Sequence, residues 1–201
     1  MTTTTKQTSV VTRADWVPGP PQGCWTYDDY AAIPDDGHRY EIVDGVLYMS
    51  PAPNIVHQRT VKRIAITLTP IVEDAGFGEV FVAPVDTELA PRVVFQPDII
   101  VVLKDRSRVV TATRIVGAPD LVIEVLSPGT RTYDLRTKLD AYARAGIPEY
   151  WLADPYSRSI EVLALTDGAY RSVGIFEGDA ALTSLVLPDL TATAAEFFPH
   201  A

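Results

Sequence analysis

Glu124 is an acidic residue in the middle of an otherwise apolar run, residues 121–126. The length and composition of this run are typical of a buried strand. A buried carboxylate is costly unless it is paired with a cation, protonated or bound to a metal ion. Glu124 is therefore the acid of this chain whose position most needs a chemical explanation.

Three aspartates that follow a proline are candidates for sharing a metal ion with Glu124: Asp98, Asp120 and Asp189. Asp120 lies on the same predicted strand as Glu124, with their Cα atoms roughly 13 Å apart, whereas ligands approach Mg²⁺ to about 2.1 Å. Asp98 begins a different strand, and neighbouring strands lie only ~4.8 Å apart. Asp189 resembles an ordinary turn acid of the C-terminal tail. Strand geometry therefore favours Asp98 as the partner of Glu124.

Lys138 lies on a predicted helix that directly follows the strand of Glu124. Positions 135, 138 and 142 share one side of this helix, because residues three and four apart are neighbours, so Lys138 borders the apolar face. A lysine in such a place usually extends its ammonium group to solvent. The alternative is a catalytic cation, which Asp134, one turn earlier, could hold by an ion pair.

Glu41 and His57 each have an ordinary and a functional interpretation. Glu41 lies in the middle of a predicted hairpin strand, where a polar residue on a solvated face is normal. His57 follows the apolar spacing of a predicted helix, together with residues 61, 64 and 68. A solvated glutamate and a structural histidine are the simpler interpretations, and a role for either residue in a site is the alternative.

Helices and strands that could position these residues follow one another along the chain. The predicted helices are a short one capped by Thr26, residues 54–74, residues 132–145 and residues 192–198. The predicted strands are a hairpin over 38–50 with its turn at Asp44-Gly45, then 79–83, 87–89, 98–103, 120–126 and 149–153, and a C-terminal hairpin over 160–165 and 170–173. This order predicts an α/β fold with a mixed sheet flanked by helices.

The composition limits the domain organisation and the partners of the protein. The chain has 201 residues, 47% of them hydrophobic, which suits one globular domain. We expect that domain over residues 25–201 and a disordered tail over residues 1–24, where apolar periodicity is weak. The net charge of −9 argues against coating nucleic acid through the overall field. Two basic clusters are either a local groove or a solvated surface: Lys104, Arg106, Arg108 and Arg114, and Arg59, Lys62 and Arg63.

Cysteine content and hydropathy suggest the compartment. The single cysteine, Cys24, can form neither an internal disulfide nor a cysteine zinc site, so a cytoplasmic location is expected. No apolar run reaches the ~18 residues that a membrane span needs. The N-terminus also lacks a basic region followed by an apolar stretch, so we expect no secretory signal.

A series of short motifs runs in order from about residue 25 to residue 165. Its members are residues 40–45 (YEIVDG), 50–53 (SPAP) with His57-Gln58, 96–98 (QPD), 118–128 (APDLVIEVLSP), Asp134 with Lys138, and 146–151 (GIPEYW). A lone Pro-Asp pair carries no information, but the ordered series is specific. It resembles the Uma-two family, named for restriction endonucleases and long described as a domain of unknown function, within the PD-(D/E)XK nuclease superfamily.

The resemblance implies a restriction-endonuclease-like core and a metal-dependent endonuclease that hydrolyses phosphodiester bonds of DNA. It implies that Asp98 and Glu124 bind Mg²⁺ or Mn²⁺, and that Glu41 is a third ligand or a ligand of a metal-bound water. We add the carbonyl of Val125 as a hypothetical ligand. Nucleases that cut both strands often act as dimers, so a homodimer is an assembly to test.

Leu126 stands where the superfamily usually has its lysine, two residues after the acid. Leucine cannot stabilise an anion, and the resemblance implies that the lysine has moved to the helix, at Lys138. There it would position the attacking water or offset charge on the transition state. Two alternatives keep the same fold: an inactive homologue or dimeric interaction module, and a hydrolase of some other phosphate compound.

Overall fold

The computed structural model describes residues 10–199, whose strands form two six-stranded sheets. In chain order the strands of this range are β1 (Thr12–Arg13), β2 (Arg39–Val43), β3 (Val46–Ser50), β4 (Gly78–Val82), β5 (Thr87–Ala90), β6 (Val93–Phe95), β7 (Ile99–Leu103), β8 (Ile115–Val116), β9 (Leu121–Val125), β10 (Glu149–Asp154), β11 (Ser159–Thr166) and β12 (Ala169–Glu177). The first sheet has the order β1-β3-β2-β6-β5-β8, and the second has the order β12-β11-β10-β9-β7-β4. Both contain parallel and antiparallel pairs, so the predicted mixed α/β fold is confirmed.

The first two helices begin where the sequence places capping residues. The helices are α1 (Tyr27–Ala31), α2 (Ile55–Thr69) and α3 (Leu139–Ala145), with π-helical turns over Pro70–Asp74 and Tyr133–Lys138 and 3₁₀ turns over Lys104–Val109 and Ala194–Phe197. Thr26 forms a capping box with Asp29, and the Asn54 side chain accepts a hydrogen bond from the His57 N–H. Such caps satisfy backbone donors that the first helical turn leaves free. None of these helices has the length and apolar character needed to cross a membrane.

The central strands β7, β9 and β10 of the second sheet are buried on both faces. One face packs against α2 and the C-terminal segment, with a core that includes Ile64, Leu68, Ile123, Trp151 and Phe197. The other face packs against α3 and the first sheet, with a core that includes Phe95, Val122, Tyr142 and Tyr150. Trp151 is fully buried. The face toward α3 carries the polar residues of the candidate site.

The segment before α1 is ordered from residue 10 onward, which corrects the expectation of a disordered tail over residues 1–24. Strand β1 pairs with β3 on the edge of the hairpin, and the Ala14 N–H donates to the carbonyl of Leu47 at 2.9 Å. The Gly23 N–H donates to the carbonyl of Gly45 at 2.7 Å. The exposed edge of a hairpin offers unpaired backbone groups, and this segment satisfies them without needing apolar periodicity of its own. Residues 1–9 lie outside the described part of the chain.

The N-terminal hairpin has the predicted turn. Asp44 and Gly45 both have positive φ, 50° and 78°, as the favoured two-residue hairpin turn requires. The C-terminal hairpin, β11 with β12, is likewise confirmed. Strands β6 and β8 were not predicted, since two or three residues are too few to show a period.

The chain crosses from the first sheet to the second through Gln96, Pro97 and Asp98. These residues follow β6 and precede β7. Proline has no N–H to donate to a strand ladder, so the first sheet ends here. The crossover therefore places the start of β7 beside the hairpin strand β2, and the candidate site lies at this junction.

Candidate active site

Lys138 lies at the centre of a buried cluster of acids. Its Nζ is 2.8 Å from Glu124 Oε1, 3.3 Å from Glu41 Oε1 and 3.7 Å from Asp134 Oδ1. All four side chains are buried, Lys138 with only 5% of its surface exposed. The ion pair that the sequence suggested between Asp134 and Lys138 is present. The structure thus joins a hairpin acid of the first sheet, a strand acid of the second sheet and a helical cation.

Lys138 lies at the end of a π-helical turn. This turn covers Tyr133–Lys138, and α3 continues from it. Asp134, Lys138 and Tyr142, spaced four residues apart, are buried against the sheet, whereas Leu135 is only partly buried. Lys138 thus shares a buried side with Tyr142, as the sequence predicts, and its ammonium group lies among acids instead of extending to solvent. Single π turns inside helices are frequent at functional sites.

Asp98 lies next to Glu124 across two antiparallel strands. The register of β7 and β9 pairs Ile99 with Ile123, so one further step places Asp98 opposite Glu124. Side chains directly opposite each other have Cβ atoms about 5 Å apart. Asp98 Oδ2 accepts a hydrogen bond from the Val125 N–H at 2.9 Å and lies 2.9 Å from His57 Nε2. The predicted proximity of Asp98 and Glu124 thus agrees with the strand register.

His57 is buried in the first turn of α2, as the structural interpretation expects, and its Nε2 lies beside Asp98. It is 7% exposed, and its Nδ1 is buried without a hydrogen-bond partner among residues 10–199. Since Asp98 Oδ2 accepts, the pairing places the ring proton on Nε2 when the imidazole is neutral. A position in the first turn of α2 could have indicated this contact with Asp98. The apolar spacing of residues 57, 61, 64 and 68 favoured a core position instead.

Two carboxylate oxygens at the site remain free to bind a cation. Glu124 Oε1 accepts from Lys138 Nζ and from the Tyr142 hydroxyl at 2.7 Å, and Asp98 Oδ2 is engaged as described above. Glu124 Oε2 and Asp98 Oδ1 accept no hydrogen bond from residues 10–199. Mg²⁺ is commonly held by one or two carboxylates and several waters, so this donor pair fits it.

A complete cage of protein ligands is not preformed around that pair. Within residues 10–199, no group of three or more histidine, cysteine, aspartate and glutamate side chains has the arrangement of a metal site. Glu41 Oε1 is engaged by Lys138 and by the Gln96 N–H at 3.2 Å, and Ser50 Oγ lies 3.4 Å from Oε2. Glu41 is thus held toward the ammonium group, and it is buried, not solvated as the hairpin pattern suggested.

Burial and the single ammonium group shift the acidities of the cluster. Burial raises the pKa of Glu124 well above its usual value, against the opposing effect of Lys138. Burial likewise raises the pKa of Asp134 to about 6. Burial would raise the pKa of Asp98 too, but its hydrogen bond and charge interaction with His57 hold that pKa below the usual value. The surroundings therefore stabilise the anion of Asp98, whereas burial opposes the charges of Glu124 and Asp134.

The other acids and bases singled out in the sequence are used elsewhere. Asp120 Oδ1 lies 2.8 Å from Arg106 Nε, and Asp120 Oδ2 accepts from the Leu103 N–H at 2.8 Å. Arg114 pairs with Glu88 at 2.8 Å. Two of the four cations in residues 104–114 are therefore already neutralised, which weakens that cluster as a basic groove.

The fold matches a solved nuclease-like structure. That structure is described as "a putative nuclease belonging to DUF820" from Anabaena variabilis, and it superposes with a TM-score of 0.71 over 87% of this chain and 97% of that chain at 19% identity. At this identity the likeness concerns the fold alone. No curated protein matches the sequence.

The sequence itself matches a family model over residues 27–195. The match spans the hairpin, the crossover and both helices that form the site, from the hairpin acid Glu41 to the helical Lys138. The chain therefore belongs to the Uma2 family, whose description is "Putative restriction endonuclease".

Proposed function

We propose that this chain is a metal-dependent endonuclease that hydrolyses phosphodiester bonds of DNA. The family supports a nuclease-like function. The observation that carries the proposal is the convergence of Lys138, Glu124 and Glu41 at the sheet crossover, with Asp98 opposite Glu124. A buried cation among strand carboxylates with free oxygens suits phosphate chemistry, which needs positive charge beside the reacting group.

Asp98 and Glu124 would hold Mg²⁺ or Mn²⁺ through their free oxygens. The Val125 carbonyl is the proposed backbone ligand, and Glu41 is the proposed outer carboxylate. When bound, such an ion polarises the scissile phosphate and lowers the pKa of a bound water. The donor set is all oxygen, as these hard cations prefer.

The residues around the acids have distinct roles in this proposal. His57 and the Val125 N–H fix Asp98 Oδ2, and Tyr142 fixes Glu124 Oε1, so each carboxylate presents its other oxygen. During hydrolysis a water oxygen would bond to phosphorus and release one proton to solvent, while the bond to one sugar oxygen breaks and that oxygen takes up a proton from solvent. Lys138 donates to the phosphate oxygens and offsets their growing negative charge.

The test is a cleavage assay on plasmid DNA with Mg²⁺ or Mn²⁺. Wild-type protein is compared with Asp98→Ala, Glu124→Ala and Lys138→Ala variants, and with Asp189→Ala, an exposed aspartate that also follows a proline, as the control. We expect cleavage by the wild type and the control only. Absence of cleavage by the wild type, or equal cleavage by all variants, would overturn the proposed site.

One observation favours the alternative of a non-enzymatic dimeric module with the same fold. Lys138 already neutralises Glu124 and Glu41, and residues 10–199 hold no preformed metal site. Titration calorimetry with Mn²⁺ separates the two proposals. The nuclease should bind Mn²⁺ with a heat that Asp98→Ala abolishes, whereas the interaction module should show no such heat.

Sedimentation of the same sample tests the homodimer, which is proposed for both functions. The free, exposed Cys24 is compatible with the cytoplasmic location that we propose.

A further inference from the structure

We propose that Arg39 binds a backbone phosphate of the nucleic acid and that Gln96 holds its guanidinium ready for that contact. The inference rests on the proposed function, because it adds a substrate contact beside the same site. Arg39 begins β2, two residues before Glu41. Neither residue 39 nor residue 96 is among the acids and the lysine assigned above.

The guanidinium of Arg39 is held entirely by neutral acceptors. Its Nε donates to Gln96 Oε1 at 3.1 Å, and its Nη2 donates to the main-chain carbonyl of Gln96 at 3.0 Å. Within residues 10–199 Arg39 forms no ion pair, and its Nη1 donates to no protein atom. Arg39 is half-buried, so its positive charge is fixed in place, not neutralised, and reachable from one side.

The side-chain amide of Gln96 has one allowed orientation. Its Nε2 donates to Asp86 Oδ1 at 2.9 Å and to the Tyr30 hydroxyl at 3.0 Å, and that hydroxyl donates to the same carboxylate at 2.8 Å. An ionised carboxylate only accepts and a guanidinium only donates. Rotating the amide by half a turn would place its oxygen against the Asp86 carboxylate and its N–H groups against the Arg39 guanidinium. The network therefore presents Oε1 to Arg39 and fixes the guanidinium plane.

Gln96 also ties Arg39 to the acids of the candidate site. Its main-chain N–H donates to Glu41 Oε1 at 3.2 Å, and Asp98 follows it by two residues. Arg39 and Glu41 lie on the same face of β2, with Cα atoms about 7 Å apart. A phosphate that neighbours the reacting one on a nucleic-acid strand could thus reach Arg39 while the reacting phosphate lies near Lys138.

Most of the other arginines that form side-chain hydrogen bonds or ion pairs are neutralised by a carboxylate. Carboxylates pair with Arg13, Arg106, Arg114, Arg131 and Arg144. An unneutralised guanidinium beside several buried acids offsets the repulsion that a phosphate would meet there. Its planar fork matches two phosphate oxygens, which an ammonium group does not.

The experiment measures binding of a short fluorescein-labelled DNA duplex by anisotropy over a series of salt concentrations, with Ca²⁺ replacing Mg²⁺. We expect Arg39→Gln to weaken binding roughly tenfold or more. We expect it also to reduce the slope of log affinity against log salt by about 0.9, the value for one phosphate contact on duplex DNA. Arg39→Lys should keep most of the slope and lose part of the affinity. In cleavage assays KM should rise while kcat stays close to the wild-type value.

Arg92→Gln is the matched control, since Arg92 is exposed, donates to the carbonyl of Gly23 at 3.1 Å and loses the same charge. Thermal unfolding shows whether Arg39→Gln is folded, and Arg39→Lys carries the test if it is not. Equal affinity and equal slope in Arg39→Gln and wild type, or an equal loss in Arg92→Gln, would overturn the inference. Binding that depends on Arg39 without any cleavage would overturn the proposed function and leave the inference standing. A wild type that does not bind DNA would overturn both.

Discussion

Two buried glutamates on neighbouring parallel strands, Glu124 and Glu149, differ in what surrounds them. Glu124 lies near the end of β9 and is 3% exposed, and Glu149 begins β10 and is completely buried. Glu149 accepts from four neutral donors, the Trp151 indole and the Ser184 hydroxyl at 2.6 Å each and the N–H groups of Leu185 and Val186 at 2.6 and 3.3 Å. Glu124 instead accepts from an ammonium and one hydroxyl, with further acids nearby.

Burial alone does not identify a functional carboxylate. Both oxygens of Glu149 are satisfied by neutral groups, so this carboxylate holds the C-terminal segment on the sheet and has no capacity left for a ligand. Glu124 keeps one oxygen free and lies in an environment that opposes its charge. Acids with strongly shifted pKa values and a carboxylate oxygen that is free to bind a ligand are the ones expected at functional sites.

Lys138→Met should have the largest effect, because it removes the ammonium group at the centre of the acid cluster. Leaving a buried charge without its partner costs about 3–5 kcal/mol in the free energy of unfolding. The raised pKa values of Glu124 and Asp134 mean that the folded state binds protons more tightly than the unfolded state. Because the Lys138 charge lowers both pKa values, its removal should raise them further, and the loss should be smaller near pH 5, where protonation removes part of the unpaired negative charge, than at pH 8. Urea unfolding at both pH values checks this, and an equal loss at both would contradict the account.

Glu124→Gln should separate activity from stability. We expect cleavage to fall about 1000-fold, which corresponds to about 4 kcal/mol, because the amide cannot replace the free carboxylate oxygen. The free energy of unfolding should change by less than about 1 kcal/mol, since an uncharged group suits this environment. Cleavage rates and urea unfolding of one preparation test both parts. A large loss of stability with retained cleavage would show that Glu124 is structural.

Glu149→Gln should give the opposite pattern. The carboxylate of Glu149 accepts through both of its oxygens, whereas the glutamine amide has only one acceptor oxygen. Some of the four donors would then be left without a partner, so we expect a loss of about 3 kcal/mol in the free energy of unfolding. Cleavage below the unfolding temperature should remain near the wild-type rate. Glu177→Gln, at the exposed end of β12, is the control and should change neither quantity. If Glu149→Gln lost activity without losing stability, the contrast with Glu124 would fail.

Arg144→Ala removes an exposed ion pair, in contrast to the buried groups above, and should have the smallest effect on stability. Arg144 Nη2 lies 2.9 Å from Asp44 Oδ1, but both side chains are more than half exposed. An exposed ion pair contributes less than about 1 kcal/mol. Thermal unfolding at low and high salt should show a small difference that salt removes. A loss as large as that of Lys138→Met would mean that burial does not set the strength of these pairs.

Local patterns in the sequence identified most of the elements and part of the site. The caps Thr26 and Asn54, the Asp44-Gly45 turn and the apolar periods depend on neighbouring residues only, and they agree with the structure. The anomaly of Glu124 was visible as a charge inside an apolar strand. Glu149 was not recognised, because it follows Pro148 at the start of a strand, where acids are ordinary.

The sequence alone determined that Glu124 is buried and that Asp98 could lie beside it, since strand composition reports burial and strand spacing limits which acids can meet. It did not determine the burial of Glu41 or the inward orientation of Lys138. Glu41 is enclosed because the first sheet packs against the second, and Lys138 points inward because its helical segment packs on the sheet that carries Glu124. Both depend on contacts between segments far apart in the chain, which no local period records. The tertiary structure thereby decided which acids share the ammonium group of Lys138.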